Sequence, residues 1–251
     1  MSLGTNFKTS KKLYAFVTGF TIIIMYITIS YVNNEYPKIL QHKFWGILFS
    51  LVISTGLFTS ISTTIVYFFE KIKWVKSFIL GSNYLEGIWV GFVENPGNEK
   101  AIKNPSYIVE KITQNFTDIY ISGNSYKLIN DSFVKTSTWK SSVAKLNEKH
   151  KTLEYTYTCW TTDPNDKGKQ FTGFATFNYE NLKHKMKLEK YPLIKGFSIW
   201  GTLNDFDPSN RLLIGKEIKI SDEPVQEIDY FANDAFEYTR IVKDKMKLHI
   251  P

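Results

Sequence analysis

Two long uncharged runs near the N-terminus constrain the fold of this 251-residue chain more than any other feature. The first run is Leu13 to Val32, and the second is Phe44 to Phe69. Each is long enough to cross about 30 Å of hydrocarbon as a helix. The first run is too long for the apolar region of a signal peptide, and no small-residue cleavage site follows it. The sequence therefore predicts a transmembrane hairpin of two helices.

The distribution of charge gives the predicted orientation of this hairpin. Residues 1–81 carry eight Lys and two Glu, whereas residues 82–251 carry 23 Lys plus Arg and 22 Asp plus Glu. The formal net charge of +7 is thus concentrated around the apolar runs, so we expect no DNA or RNA binding. Lysines outside both runs favour a cytoplasmic location for both chain ends, and hence a multi-pass protein.

The uncharged runs divide the chain into segments. We expect a cytosolic N-terminus (1–12), a first span (13–32), a short external loop (33–43), a second span (44–69), a basic linker (70–83) and a cytosolic ligand-binding barrel (84–251). Serine and threonine residues recur along the second span, and small hydroxylated side chains allow close helix contact. This pattern indicates association of the chain with copies of itself in the lipid bilayer.

After Gly81 the pattern changes to short alternating runs that are typical of β-strands. The predicted strands are Tyr84–Val93, Tyr107–Asn115, Asp118–Gly123, Phe133–Val143, Thr152–Thr161, Lys169–Tyr179, Lys195–Leu203 and Arg211–Ile220. Turn-forming residues separate them at nearly regular spacing, which predicts an all-β antiparallel up-and-down barrel of about eight strands. A barrel of this size holds packed side chains or one small ligand.

The C-terminal tail permits two interpretations. Apolar residues recur at helical spacing, which indicates a terminal helix on the barrel; these residues are Ile228, Phe231, Ala232, Ala235 and Phe236. The final stretch "TRIVKDKMKLHI" is alternatively an edge strand.

Motifs for catalysis and metal binding are missing from the sequence. There is no glycine-rich phosphate loop, no His-Glu-x-x-His and no Gly-x-Ser-x-Gly elbow. Cys159 is the only cysteine, and the four histidines form no ligand-spaced pair. We therefore expect no enzyme activity, no metal and no cofactor.

Aromatic and hydroxylated residues instead alternate along three of the predicted strands, in "TSTWKSS", "LEYTYTCW" and "GFSIWG". Aromatic rings with neighbouring hydroxyls suit a nucleobase, which offers a face for stacking and an edge for hydrogen bonds. The resulting candidates for ligand binding are Ser137, Trp139, Tyr155, Tyr157 and Trp200. Strand alternation allows only one of Thr136 and Ser137 to point inward, and parity with Trp139 favours Ser137. The alternative is that these residues simply fill the core.

The order of these features resembles the two-transmembrane β-barrel effectors of bacterial CBASS anti-phage systems, the CD-NTase-associated membrane proteins. The matching stretches follow the two apolar runs, between about residues 10 and 220. They are "LEGIWVG", "ITQNFTDIYISG", "KTSTWKSS", "LEYTYT", "GFATF" and "LIKGFSIWG". The chain departs from the family pattern at Asn178–Pro192 and in the tail after Ile220.

The resemblance implies a non-enzymatic sensor in the inner membrane. Its barrel binds a cyclic dinucleotide, and its helices then assemble and disrupt the membrane. A related arrangement is an effector that its cyclic dinucleotide holds inactive. The alternatives from other classes are a membrane-anchored, lipocalin-like carrier of an apolar ligand and a structural scaffold with a solid barrel.

A cyclic dinucleotide carries two phosphates, so its site needs a cation. Arg211 is the candidate, because a guanidinium fits phosphate as a planar fork and the residue opens a predicted strand at the barrel rim. A solvated strand-end charge is its alternative role. We assign Trp89 to closing one end of the barrel, with Gly87 and Gly91 leaving room for its ring.

Overall fold

A computed structural model describes residues 7–35, 43–96, 98, 105–162, 168–181, 197–206, 212–223 and 227–247. The chain divides into two compact units, Met1–Gly81 and Ser82–Pro251.

The N-terminal unit is helical. Its helices are α1 (Phe7–Glu35), α2 (Lys43–Lys71) and α3 (Lys73–Leu80). Helix α3 lies in the segment that the sequence predicted as a basic linker. Helices α1 and α2 pack through Phe20 and Phe69, whose ring centroids are 5.6 Å apart, and through hydroxyl groups of Thr21 and Ser62 at 3.1 Å. The contacts between these two helices therefore include both an aromatic and a polar one.

Helix α1 has the length and composition of a membrane span. Its stretch Lys11–Tyr31 has a mean hydropathy of 1.9, and little of it is buried within the chain. Large apolar side chains such as Ile22 and Ile27 are mostly exposed. Twenty-one helical residues extend about 31 Å, which matches the hydrocarbon thickness of a bilayer. Among the described residues, this one helix meets the length and hydropathy criteria for crossing a membrane, which is weak support for membrane association.

The C-terminal unit is a closed antiparallel barrel in which the eight strands neighbour one another in chain order. The strands are β1 (Gly87–Glu94), β2 (Ser106–Gln114), β3 (Ile119–Ile129), β4 (Ser132–Asn147), β5 (Thr152–Thr161), β6 (Gln170–Asn181), β7 (Phe197–Asp205) and β8 (Leu212–Ser221). Strand β8 pairs with β1 and closes the sheet. The prediction of an eight-stranded up-and-down barrel is confirmed.

The third strand is longer than the sequence predicted. The predicted strand ended at Gly123, but β3 continues to Ile129 and turns at Asn130 and Asp131. Both turn residues have positive φ angles, 49° and 59°, which are the angles that a two-residue hairpin loop with a type I′ turn requires. Gly123 is instead a strand residue whose missing side chain leaves space for the ring of Trp139 on β4.

The barrel has two apolar layers. One fills the interior and includes Leu85, Trp89, Leu153 and Phe177. The other lies outside β1, β2 and β8, where helix α4 (Ala232–Lys247) covers the sheet. The prediction of a terminal helix is thus confirmed, and the alternative of an edge strand is wrong as far as Lys247. Ile228, Phe231, Ala232 and Ala235 belong to this outer layer.

A candidate ligand-binding cavity at the mouth of the barrel

One end of the barrel is open, and a cavity of about 960 Å³ lies there. The end of β1, the β3–β4 hairpin and the start of β8 border it. Its described lining includes Val93, Ile108, Ser125, Lys127, Thr136, Ser137, Trp139, Tyr157, Cys159, Phe171, Leu203, Asp205 and Leu213. This volume lies within the range of about 300–1,000 Å³ that is typical of small-molecule sites.

The cavity floor contains two aromatic side chains, Trp139 on β4 and Tyr157 on β5. Each lies over a glycine of the neighbouring strand. Gly123 faces Trp139 in register, and a Cβ atom on Gly123 would lie 2.3 Å from the indole ring. Gly173 faces Tyr157 in the same way, again at 2.3 Å. The two glycines therefore create the space in which the two rings lie.

A row of hydroxyl groups lines the wall beside Trp139. The Ser125 hydroxyl lies 2.7 Å from the hydroxyls of both Thr136 and Ser137. The expectation that only one of these two β4 residues faces inward is wrong, because both line the cavity. The pairing of β3 with β4 shifts after Ser125, which leaves Thr136 as an extra residue in a β-bulge. The bulge brings two consecutive side chains to one wall.

The opposite wall is acidic. Asp205 on β7 is 2% exposed, and the Tyr157 hydroxyl donates a 2.5 Å hydrogen bond to its carboxylate. At the rim, Glu94 forms an ion pair with Lys243 of helix α4 at 3.2 Å. Lys127 is the one basic side chain among the described lining residues. The described wall therefore offers hydrogen-bond acceptors more readily than positive charge.

Beneath the floor lie two glutamates, Glu110 on β2 and Glu217 on β8, which are both fully buried. Trp139 Nε1 and the Tyr155 hydroxyl donate to Glu110 Oε1 at 3.2 and 3.0 Å. Burial raises the pKa of Glu110 to about 7, although these hydrogen bonds act in the opposite direction. Burial, and next the charge of Glu110, raise the pKa of Glu217 well above its ordinary value.

The structure brings together only part of the predicted ligand-binding set. Ser137, Trp139 and Tyr157 line the cavity. Tyr155 faces the interior one layer deeper, where it stacks on Phe177 at 6.0 Å and holds Glu110.

Trp200 does not belong to this set. It is 37% exposed and lies on the outer face of β7, with Asn178 and Lys216 beside it on the neighbouring strands. The prediction that it points inward is wrong, because the residues of β7 that face the interior are the alternate ones, which include Leu203 and Asp205. The predicted phosphate ligand Arg211 lies outside the described residues.

Trp89 was expected to close one end of the barrel, in a space left by Gly87 and Gly91, and the structure differs from this expectation in the role of the glycines. Trp89 is fully buried in the interior layer, and its Nε1 donates to the backbone carbonyl of Leu85 at 2.9 Å. Gly87 and Gly91 do not make room for its ring, however. Cβ atoms on these glycines would lie 1.9 and 2.0 Å from backbone oxygens of β8. The two glycines allow the first and last strands to approach closely where the barrel closes.

Sequence reasoning missed three acidic residues of this region: Asp205, Glu110 and Glu217. Asp205 shares the parity of Leu203, so the correct face assignment of β7 would have placed it inside. Glu110 lies inside the run "YIVEKI", next to the buried residues Ile108 and Val109, which is a visible signal in the sequence. A carboxylate inside a barrel contradicts the usual pattern of apolar residues facing the core, so pattern reasoning does not predict it.

Comparisons with models of protein families, with curated proteins and with solved structures found no match. The chemistry of the cavity and the sequence pattern are therefore the observations that bear on function.

Proposed function

We propose that this protein is a membrane effector whose barrel binds a cyclic dinucleotide and thereby controls the assembly of its helices. Assembly of the helices disrupts the inner membrane, as in the CBASS effectors that the sequence resembles. The observation that carries the proposal is the cavity itself, in which Trp139 and Tyr157 lie beside the hydroxyls of Ser125 and Ser137. A nucleobase stacks on such rings and donates its N–H groups to hydroxyl or carboxylate oxygens, here those of Asp205.

The phosphates of the ligand require positive charge near the rim. Among the described lining residues Lys127 is the single cation, and Glu94 is already paired with Lys243. Arg211 directly precedes β8, whose residue Leu213 lines the cavity. We assign the phosphate contact to Arg211, with Lys127 as a second charge at the rim, because a guanidinium binds phosphate through two parallel hydrogen bonds.

The membrane part of the proposal requires that α2, like α1, spans the bilayer, with both chain ends in the cytoplasm. Hydroxyls inside these helices are satisfied locally, since Thr63 and Thr64 donate to backbone carbonyls one turn earlier. The hydroxyls of Thr21 and Ser62 contact each other between α1 and α2, and contacts of this kind between helices support assembly of several copies. Cysteine labelling tests the topology: in a C159S background, a cysteine at Lys38 should react with an impermeant reagent from outside the inner membrane.

The binding claim is tested by titrating the full chain in detergent with a panel of cyclic dinucleotides. We expect saturable binding of at least one, a loss of about tenfold or more for Tyr157→Ala, and unchanged binding for Trp200→Ala. Trp200 is the matched control because it is an aromatic strand residue on the outer face. Equal losses in both variants, or no binding of any member of the panel at high micromolar concentration, would refute the proposal.

A second candidate function is a membrane-anchored carrier of an apolar ligand. It is favoured by the aliphatic part of the wall, where Val93, Ile108, Leu203 and Leu213 face the cavity. This function predicts a lipid that remains bound through purification. Native mass spectrometry of the full chain distinguishes the two candidates. A lipid bound to the barrel favours the carrier, whereas a barrel without lipid that gains the mass of an added cyclic dinucleotide favours the effector.

A further inference from the structure

The two buried glutamates beneath the cavity form an unusual arrangement that the proposed function does not use. They lie on β2 and β8, the two strands that flank β1. Glu110 pairs in register with Trp89, and Glu217 pairs with Gly91. A Cβ atom on Gly91 would lie 2.6 Å from Glu217 Cγ, so the missing side chain of Gly91 provides the space for Glu217. The two carboxyl groups contact each other across the first strand.

The hydrogen bonds of this pair are asymmetric. Glu110 Oε1 accepts from Trp139 and Tyr155. Neither Glu110 Oε2 nor either carboxyl oxygen of Glu217 receives a hydrogen bond from any other group in the described part of the chain. Two buried carboxylates in contact repel each other and lose their hydration, which is a large cost unless a proton lies between them. A shared proton satisfies one oxygen of each group.

No basic side chain in the described part of the chain donates a hydrogen bond to either carboxyl group. The titratable groups nearby are Tyr155 and Tyr157 on β5 and Tyr238 on α4. Asp205 on β7 adds a negative charge that Tyr157 binds. The groups facing the pair from β1 and β4 are Trp89 and Trp139, which carry no charge.

The basic residues of β8 are Lys216 and Lys219. The ammonium of Lys219 lies 2.7 Å from Asp222 Oδ1 and 4.6 Å from the centre of the Tyr84 ring.

We propose that Glu110 and Glu217 form a proton-binding site inside the barrel, in which Glu217 carries the proton and donates it to Glu110. The assignment follows from the donors. Glu110 already accepts two hydrogen bonds, which stabilise its negative charge, whereas Glu217 accepts none from the rest of the described chain. Trp139 joins this site to the cavity, because its ring forms the floor while its Nε1 holds Glu110.

The site makes the stability of the barrel depend on pH near neutrality. Each carboxyl has a pKa in the folded protein above its value in the unfolded chain. The folded state thus binds more protons, and stability is lost as the pH rises from the unfolded pKa through the folded one. For Glu110 this window extends from 4.5 to about 7. The inference is independent of which ligand the cavity holds.

The test is thermal unfolding of the full chain in detergent between about pH 5 and about pH 8. We expect the Tm of the parent to fall by roughly 5–10 °C over this range. Glu217→Gln supplies a permanent amide donor to Glu110 and needs no proton at position 217, so only Glu110 still titrates; its Tm should fall less steeply than that of the parent and should exceed it at the high end. Glu180 is an exposed residue of β6, so Glu180→Gln is the control, and its Tm should change with pH as that of the parent does.

Infrared spectroscopy gives a second readout that does not require a stable variant. At about pH 8, where most of Glu110 is ionised, the parent should show the C=O stretch of a protonated buried carboxyl that exchanges slowly in D₂O, and Glu180→Gln should retain it. Glu217→Gln should lose it. Absence of this band in the parent, or parallel pH curves for the parent and Glu217→Gln, would overturn the proposal.

Discussion

The close approach of Gly123 to Trp139 leads to a prediction that can be calculated from the structure. In Gly123→Ala the new methyl group would lie 2.3 and 2.5 Å from two atoms of the indole ring. Ordinary contact begins near 3.4 Å, so the ring must move by about 1 Å. All three nearest atoms belong to Trp139, so the backbone does not oppose the methyl group directly.

The cost of this substitution has two sources. Overpacking of a filled interior costs about 1–3 kcal/mol. Displacement of the ring also weakens the 3.2 Å hydrogen bond from Trp139 Nε1 to Glu110, which is buried and has no exchange with water. We therefore expect a loss of unfolding free energy of about 2–4 kcal/mol, measured by chemical denaturation of the full chain in detergent. Ligand affinity should fall as well, because the cavity floor is displaced.

A double-mutant cycle shows whether the indole is the cause. Trp139→Leu removes the ring atoms that the methyl group meets, so Gly123→Ala should cost less than about 0.5 kcal/mol in that background. If Gly123→Ala costs the same with leucine or tryptophan at position 139, the explanation by ring displacement is wrong.

Three further predictions concern other parts of the barrel. Tyr157→Phe should lower stability by about 1–3 kcal/mol in denaturation experiments, because it removes the hydroxyl that binds the buried Asp205; an unchanged value would show that water replaces it. Trp89→Ala should cost about 3–5 kcal/mol by the same measurement, since it empties the closed end of the barrel, and a loss below about 1 kcal/mol would contradict this. Burial opposes but does not outweigh the hydrogen bonds from Tyr126 and Lys135 that lower the pKa of Asp229. The stability that this carboxylate contributes is therefore present above its unfolded pKa and lost as the pH falls through its folded pKa. Asp229→Asn should therefore reduce the fall in Tm that the parent shows at acidic pH. If the fall in Tm is the same in both proteins, Asp229 is not its source.

The sequence predicted the barrel well because strand alternation and turn residues are local signals. All eight strands were located, and the main error in length came from Gly123. A glycine beside an asparagine is typical of a turn, yet here the glycine serves a contact with a residue sixteen positions later, on the next strand. The sequence does not record such a contact, because it depends on the register of β3 with β4.

The candidate site was less predictable for the same kind of reason. Alternation separates the two faces of a strand but does not say which face is interior. In β7 both faces are partly apolar, and the interior face carries the charged residue Asp205, so Trp200 was assigned to the wrong side. Glu110 and Glu217 are 107 positions apart and meet only because β8 closes onto β1. Barrel closure is a global property that local patterns do not encode.

Dye release from liposomes that contain the full chain tests most directly whether the cavity controls the helices. With the cyclic dinucleotide that binds most tightly, the permeability of the liposomes should change at saturating concentration, and the direction of the change shows whether the ligand activates or restrains the effector. Tyr157→Ala should require about tenfold more ligand for the same change, whereas Trp200→Ala should behave as the parent does. Identical dye release with and without a ligand that demonstrably occupies the barrel would contradict the proposed coupling between the cavity and the membrane.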